Sequence, residues 1–210
     1  MQVYNLVVGV DQQYFDTWAT PLFKSISTHN PNLRLHCHIV NPTKSNTLSN
    51  VDITEETIKF ANDTSKISYL QSVRFLIADS KFNNSEKVVA IDADTICTRS
   101  YSQEEIEFLF SKQHILQSYK DKRWLAGLVA FSDNGFRQDY INEIKSKDIE
   151  EWEWGRDQNI LDKFSEEYNF IPAPRDWMCI GKNKSDSIFL TLKGAQKIKA
   201  KYLGRWEEYI

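Results

Sequence analysis

Two aspartates, Asp92 and Asp94, stand one residue apart directly after the apolar run over 88–91, "VVAI". A short apolar run that stops abruptly reads as a buried strand. Two carboxylates held at one strand end repel each other, and both stay ionised there only with a cation between them. Their oxygen chemistry suits a hard divalent ion, Mn²⁺ or Mg²⁺, whose open coordination positions a substrate diphosphate fills. Such an ion neutralises the charge that grows on a departing phosphate oxygen. The plain alternative is a strand-end turn in which Asp92 caps local N–H groups, which leaves Asp94 without a part to play. An Asp-x-Asp pair is cheap by itself, since a chain of this composition should hold about one by chance. Position gives it weight, because ligands of open α/β sheets bind beyond the carboxyl ends of the strands.

The elements that must hold this pair alternate along the chain. A first strand is expected at about 3–10, then a helix in "TWATPLFKSIS" with Thr20 as its cap and Pro21 at its first position. "LRLHCHIV" alternates as a strand, with Leu33, Leu35, Cys37 and Ile39 on one face and Arg34, His36, His38 and Val40 on the other. His36 and His38 on one strand face could ligate a metal. No acidic or cysteine partner lies near them in sequence, so a polar strand face is the preferred reading. Over 66–80, Ile67, Leu70, Val73 and Ile77 fall at helical spacing, with Lys66 and Arg74 off that stripe. After the strand that ends at Asp92, Ser102 and Glu105 form a capping box for "QEEIEFLF". "HILQSY" and "WLAGLVAF" read as strands, helices follow from about Ser132 and Asp157, and Ala195, Ile198, Tyr202 and Trp206 mark a last amphipathic stretch. This alternation predicts an α/β fold: a single, mainly parallel sheet flanked by helices, in one domain over 1–210.

Composition narrows the class. With 210 residues and 41% hydrophobic content the chain can bury a core without staples. A formal charge of -3 and the lack of a basic block argue against nucleic-acid binding. No apolar run reaches the roughly 18 residues of a membrane span. Cys37, Cys97 and Cys179 are odd in number and show no CxxC spacing, so reduced core thiols are expected. The start "MQVYNLVVGV" lacks a basic leader and reads as a strand, which gives an expected cytoplasmic location. The sequons at Asn62, Asn83 and Asn183 then read as chance.

Two enzyme classes place carboxylates in this way. In haloacid dehalogenase-like phosphatases the pattern is DxDx[TV]; here Ile96 takes the fifth position, and neither "GD" nor "DD" occurs to supply a later acidic motif. The second class fits better. The sequence resembles the GT-A-fold glycosyltransferases over most of its length, closest in pattern to the glycogenin and lipopolysaccharide galactosyltransferase family. "LVVGVDQQYF" looks like their first strand and uridine-binding turn, which implies Val10, Asp11 and Tyr14 near the base. "YLQSVRFLIAD" is similar to the helix before their metal strand and implies that Arg74, assisted by Lys66, reaches the nucleotide and sugar. "VVAIDADT" matches their metal motif, with Asp94 on the metal and Asp92 on both ribose and metal. "WLAGLVAF" resembles the strand beside the donor sugar, with Ala126 and Gly127 kept and Leu125 in place of an asparagine. "WGRDQNIL" resembles a DQD segment, which implies that Asp157 and Gln158 bind donor sugar or acceptor and do the catalytic work; Asn159 replaces the second aspartate. "TLKGAQK" keeps Gly194 and Lys197 at the spacing of a diphosphate-binding motif, while Thr191 stands where that motif has a metal-binding histidine.

The resemblance therefore implies a metal-dependent transferase that moves a sugar, most simply a hexose, from a UDP-sugar to a hydroxyl of a carbohydrate or glycoprotein. Residues 1–100 would form the donor half and 101–210 the acceptor half. A sugar-phosphate nucleotidyltransferase is an alternative, but "GVDQQYFDTW" has one glycine and no basic residue to hold a triphosphate. A non-catalytic nucleotide-sugar or glycan-binding domain is another, supported by Leu125, Asn159 and Thr191. Stereochemistry stays open: a retaining enzyme could use Gln158, whereas an inverting one needs a base, for which Asp157, Glu153 and Asp176 compete. Of six tryptophans, Trp152, Trp154 and Trp177 lie in the acceptor half; core packing is the preferred reading for each, and Trp177 is the first to test for stacking on an acceptor.

Overall fold

The computed structural model describes residues 4–83, 86–118, 122–174, 176–180 and 187–191. The first strand, β1 (Tyr4–Asp11), is apolar almost throughout and runs into α1 (Gln12–Tyr14). Asp11 closes that turn, its Oδ1 accepting from Tyr14 N at 2.9 Å. A π-helical turn over Phe15–Ala19 then leads without a break into α2 (Thr20–His29). The cap is therefore Asp11 and not Thr20, whose hydroxyl donates back to Phe15 O at 3.0 Å. Pro21 has no N–H for an ordinary helical bond, and the widened turn before it accommodates that loss.

β2 (Arg34–Val40) and β3 (Val51–Glu56) follow, then α3 (Asp63–Lys81), β4 (Lys87–Ile91), β5 (Thr95–Cys97) and α4 (Gln103–Leu109). Both halves of the expected capping box at Ser102 and Glu105 form. β6 (His114–Gln117), β7 (Trp124–Phe131), α5 (Asn134–Lys145), a 3-10 turn (Ile149–Glu151), α6 (Arg156–Phe164) and the short strands β8 (Ile171–Pro172), β9 (Met178–Ile180) and β10 (Phe189–Thr191) complete the described elements. The main sheet has seven strands in the order β3-β2-β1-β4-β7-β6-β8, so the strand that delivers Asp92 is central. It is mostly parallel, with β7 running against β4 and β6. A second, three-stranded sheet sets β10 between β5 and β9.

Alternation along each strand splits the core between two faces. Leu6, Val8, Val89 and Ile91 pack on one side, and Val7, Val88 and Ala90 on the other against α3, α5 and α6. Each fully buried valine or isoleucine contributes about 1.5–3 kcal/mol. Cys37 and Cys97 are buried and free, as expected, and burial pushes the Cys97 thiol up to about 12. No helix among the described residues is long and apolar enough to cross a membrane.

The packing departs from the sequence reading in part. Of the α3 stripe, Val73 is buried and Leu70 and Ile77 pack partly buried against the core, while Ile67 is 47% exposed. Ser65, Ser68, Tyr69, Ser72, Phe75 and Ala78 widen the buried face, and the serines among them are what hydropathy spacing does not register. The polar face of β2 that carries His36 and His38 is buried, because β3 supplies Asp52, Thr54 and Glu56 against them. Trp177 is 3% exposed and stacks on Tyr101, so it is core and not an acceptor platform. The expected helix through Ala195 and Trp206, together with Gly194 and Lys197, lies outside the described residues.

Candidate active site

The carboxyl ends of β1 and β4 open into a cleft of about 540 Å³. Three local features build it. Gly9 in β1 allows α3 to lie on the strand backbone: a Cβ there would stand 2.4 Å from Val73 Cγ1 and 2.8 Å from Arg74 N. That contact holds Arg74 over the strand ends. The reversed direction of β7 brings its amino end beside the carboxyl end of β4, with Ile91 opposite Leu128 and Asp92 N donating to Gly127 O at 3.0 Å. Finally Gly155, at φ +76°, starts α6 and aims its first turn, with Asp157 and Gln158, into the cleft.

Arg74 is the buried hub. Its Nη2 donates to Ala126 O at 2.9 Å and stands 3.1 Å from Asp92 Oδ1 and 3.7 Å from Asp157 Oδ2. One guanidinium thus ties together the ends of β4, β7 and α6, and truncating it would leave two poorly solvated carboxylates facing each other. Asp157 Oδ1 also accepts from Gln158 N at 2.9 Å, and Tyr140 OH donates to Asp157 O at 3.0 Å from beneath. Burial first, then the Asp157 charge, raises the Tyr140 hydroxyl well above its ordinary value, so it stays a neutral donor.

Asp94 is 3% exposed and still contributes to the cleft wall. Behind it lies Thr191, fully buried, whose hydroxyl is 3.3 Å from Asp94 O and 3.5 Å from Asp94 Oδ1. β10 reaches that point by antiparallel pairing with β5, Thr191 opposite Thr95. The stretch "TLKGAQK" therefore does start beside the aspartate pair.

Of the residues proposed from sequence, Val10, Tyr14, Arg74, Asp92, Asp94, Ala126, Gly127, Asp157 and Gln158 all line the one cleft. Asp11 and Lys66 do not line it; they form a partly exposed pair at 4.0 Å beside it. Ile67, Leu70, Gln71, Ser118 and Arg123 also line the cleft and were missed. The signal for three of them was available: 67, 70, 71 and 74 fall at helical spacing on the face that carries Arg74. Arg123, which lines the cleft, donates to Asn159 Oδ1 at 2.7 Å and approaches Asp162 Oδ2 at 3.4 Å.

The donor set decides which cation the cleft fits. None of the four histidines lines it, and among the described residues no group of three or more His, Cys, Asp or Glu is arranged to hold a metal. The protein offers two carboxylates, a set that fits a hard cation completed by phosphate and water oxygens rather than a closed protein cage.

No protein-family model matches the sequence, and no curated protein matches it. Solved structures do. The glycosyltransferase GlyE of Streptococcus pneumoniae TIGR4 superposes with a TM-score of 0.67 at 15% identity, over 100% of this chain and 60% of that one. The galactosyltransferase LgtC, solved with donor and acceptor sugar analogues, gives 0.63 at 12% identity over 98% of this chain and 94% of that one. The bifunctional glycosyltransferase WbbM gives 0.69 at 14% identity over 99% of this chain and 49% of that one. The fold is GT-A. The chain spans only about 60% of GlyE and half of WbbM, so what those whole proteins do is not carried by the superposition. What the GT-A fold accounts for is the placement of the cleft: the central strand β4, the reversed β7 and the start of α6 meet at one point.

Proposed function

We propose that the chain is a metal-dependent glycosyltransferase that moves a sugar, most simply a hexose, from a UDP-sugar to a hydroxyl of a glycan or glycoprotein, within one catalytic domain. The observation that carries this reading is the convergence of Asp92, Asp94, Arg74, Asp157 and Gln158 on one cleft at the end of the central strand. Val10 and Tyr14 line the end of the cleft that would take the base, and the diphosphate would then lie against Asp92 and Asp94. A Mn²⁺ or Mg²⁺ ion held by Asp92 and Asp94 would neutralise the diphosphate as it departs.

The bond that breaks joins the anomeric carbon to a phosphate oxygen, and its electron pair leaves with UDP. The acceptor oxygen forms the new bond, and its proton passes to a base or to water. Asp157 has both oxygens engaged, by Arg74 and by the Gln158 N–H, so its part is to hold Arg74 and the first turn of α6. Gln158, half-buried in the wall, is the carboxamide that would face the sugar. Gly194 and Lys197, outside the described residues, are proposed to meet the diphosphate, a reading supported by Thr191, just before them in sequence, which stands against Asp94.

The test is turnover of radiolabelled UDP-hexoses with Mn²⁺, in wild type and in an Asp92→Ala/Asp94→Ala double variant. Hydrolysis or transfer should vanish in the double variant. Its persistence would end this reading.

A further inference from the structure

Four large hydrophobic side chains are conspicuously exposed among the described residues: Tyr14, Ile67, Phe108 and Trp154. Tyr14 and Ile67 line the cleft. Trp154, 64% exposed, immediately precedes Gly155, whose N–H points at Gln71 Oε1 at 3.4 Å, and Gln71 lines the cleft one turn along α3 from Ile67. Trp152 shows the contrast two residues earlier: it is buried, stacks on Tyr69 and donates its indole N–H to Lys147 O at 3.0 Å. One segment therefore spends one indole on the core and leaves the other in water, two residues before the helix start that enters the cleft.

Scattered apolar side chains on a surface need no explanation, but here two line the cleft and the third is one residue from a backbone N–H that meets a cleft-lining side chain. The charge of the segment that carries the ring selects the visitor. Asp148, Glu150, Glu151 and Glu153 are exposed there against Lys147 and Arg156, an acidic surplus that disfavours anions, while carboxylates accept hydrogen bonds from hydroxyls.

We propose that Trp154 is the acceptor platform: its ring carries the apolar face of a neutral saccharide at the cleft mouth, with the reacting hydroxyl directed toward Gln158. This rests on the transferase reading above and adds the acceptor class and the residue that positions it. An indole suits the task because it offers a large, rigid apolar face with a polar edge.

The test uses the whole chain with a UDP-hexose and methyl glycosides as acceptors: neutral hexosides, N-acetylhexosaminides and a glucuronide. Trp154→Ala should raise the acceptor KM about tenfold and Trp154→Phe much less, with acceptor-free UDP-hexose hydrolysis unchanged. The glucuronide should be the poorest acceptor. An acceptor KM that does not move in Trp154→Ala overturns the platform and leaves the ring to a protein partner. A fall in acceptor-free hydrolysis also overturns it, by putting the ring in the donor pocket. Failure of wild type to hydrolyse any UDP-hexose sinks the transferase reading instead; quenching of Trp154 fluorescence by neutral methyl glycosides, read as the difference between wild type and Trp154→Ala, then decides whether the ring binds sugar at all.

Discussion

The sheet buries polar side chains in two regions, one at the carboxyl end of β4 and one along the outer pair β2–β3. Each adjoins a hollow of similar size, about 540 Å³ and about 550 Å³. At the outer pair the groups answer one another. Thr54 Oγ1 stands 3.1 Å from His36 Nε2 and 2.8 Å from His38 Nδ1, so one hydroxyl serves both rings. The far ring nitrogens face Asp52 and Glu56 at 3.3 and 3.2 Å, off the line of a good hydrogen bond, and those acids are met in turn by Lys81 at 2.8 Å and the Tyr69 hydroxyl at 2.6 Å. The hollow there is balanced, Arg34 and Lys81 against Asp52 and Glu86. In the cleft, Asp92, Asp94 and Asp157 outnumber the guanidinium of Arg74, and Arg123 is drawn off to Asp162. Volume does not separate a binding site from a structural hollow here; the leftover charge does. Excess carboxylate in a cleft calls for a cation, and a cation calls for a phosphate.

The widest gap between the two regions should appear on removing charge. Asp94→Asn keeps the shape and an acceptor for Thr191 but halves the pair, and UDP-sugar hydrolysis should fall on the order of 10³-fold. The thermal midpoint should hold or rise, because repulsion is relieved. A variant that hydrolyses normally would mean that the surplus charge is idle. Gly9→Ala strikes both regions, since α3 carries Arg74 to the cleft and Tyr69 and Lys81 to the edge. A Cβ 2.8 Å from backbone at Arg74 cannot be absorbed by a side chain turning away, so urea denaturation should show a loss of about 3 kcal/mol. Unchanged stability would show that α3 is not pinned to β1.

What the sequence disclosed follows the range of the forces involved. β4 and its aspartates were legible because an apolar run and its abrupt stop are local, and so was the Ser102–Glu105 box, which spans three residues. β3 was not legible: "VDITEE" is half-exposed and acidic, and becomes a strand by pairing Ile53 with Cys37 and Glu55 with Ile39. The acids that bury His36 and His38 thus come from a strand with no strong signal of its own. Arg74 was read as lying off the buried stripe of α3, yet it is buried, because Asp92 and Asp157 meet it from elements 18 and 83 residues away. β9 and β10 were not legible either, because they are three residues each and exist only as partners in the small sheet. The candidate site was more legible than the packing around it, since its acids sit at strand and helix ends that the local pattern marks.

Thr54→Val separates the regions from the other side. It keeps the shape of the edge and removes the only hydroxyl between two buried rings, leaving His36 Nε2 and His38 Nδ1 unanswered. The expected cost is about 2 kcal/mol by urea denaturation, with the rate of UDP-sugar hydrolysis unchanged under folded conditions. A matching fall in hydrolysis would show that the edge and the cleft are coupled.

Acid is the mildest lever. Burial, opposed by Asp52, holds His36 below its ordinary value of 6.5, with Lys81, His38, Thr54 and the Phe82 ring also facing it. As pH falls through about 6.5 the unfolded chain takes up a proton that the folded ring refuses, so folding stability drops toward the folded value, by no more than about 1.4 kcal/mol per pH unit. Asp52 and Glu56 are held below their ordinary 3.8 and 4.5, chiefly by Lys81 and His38, so their contribution is complete above those values and lost only in stronger acid. Between pH 7 and 5 the slope therefore belongs to the histidine. His36→Gln should start from lower stability and flatten the curve over that interval. If the two curves run parallel, the buried ring is not what acid attacks, and the contrast between a self-answering edge and a ligand-seeking cleft loses its clearest physical signature.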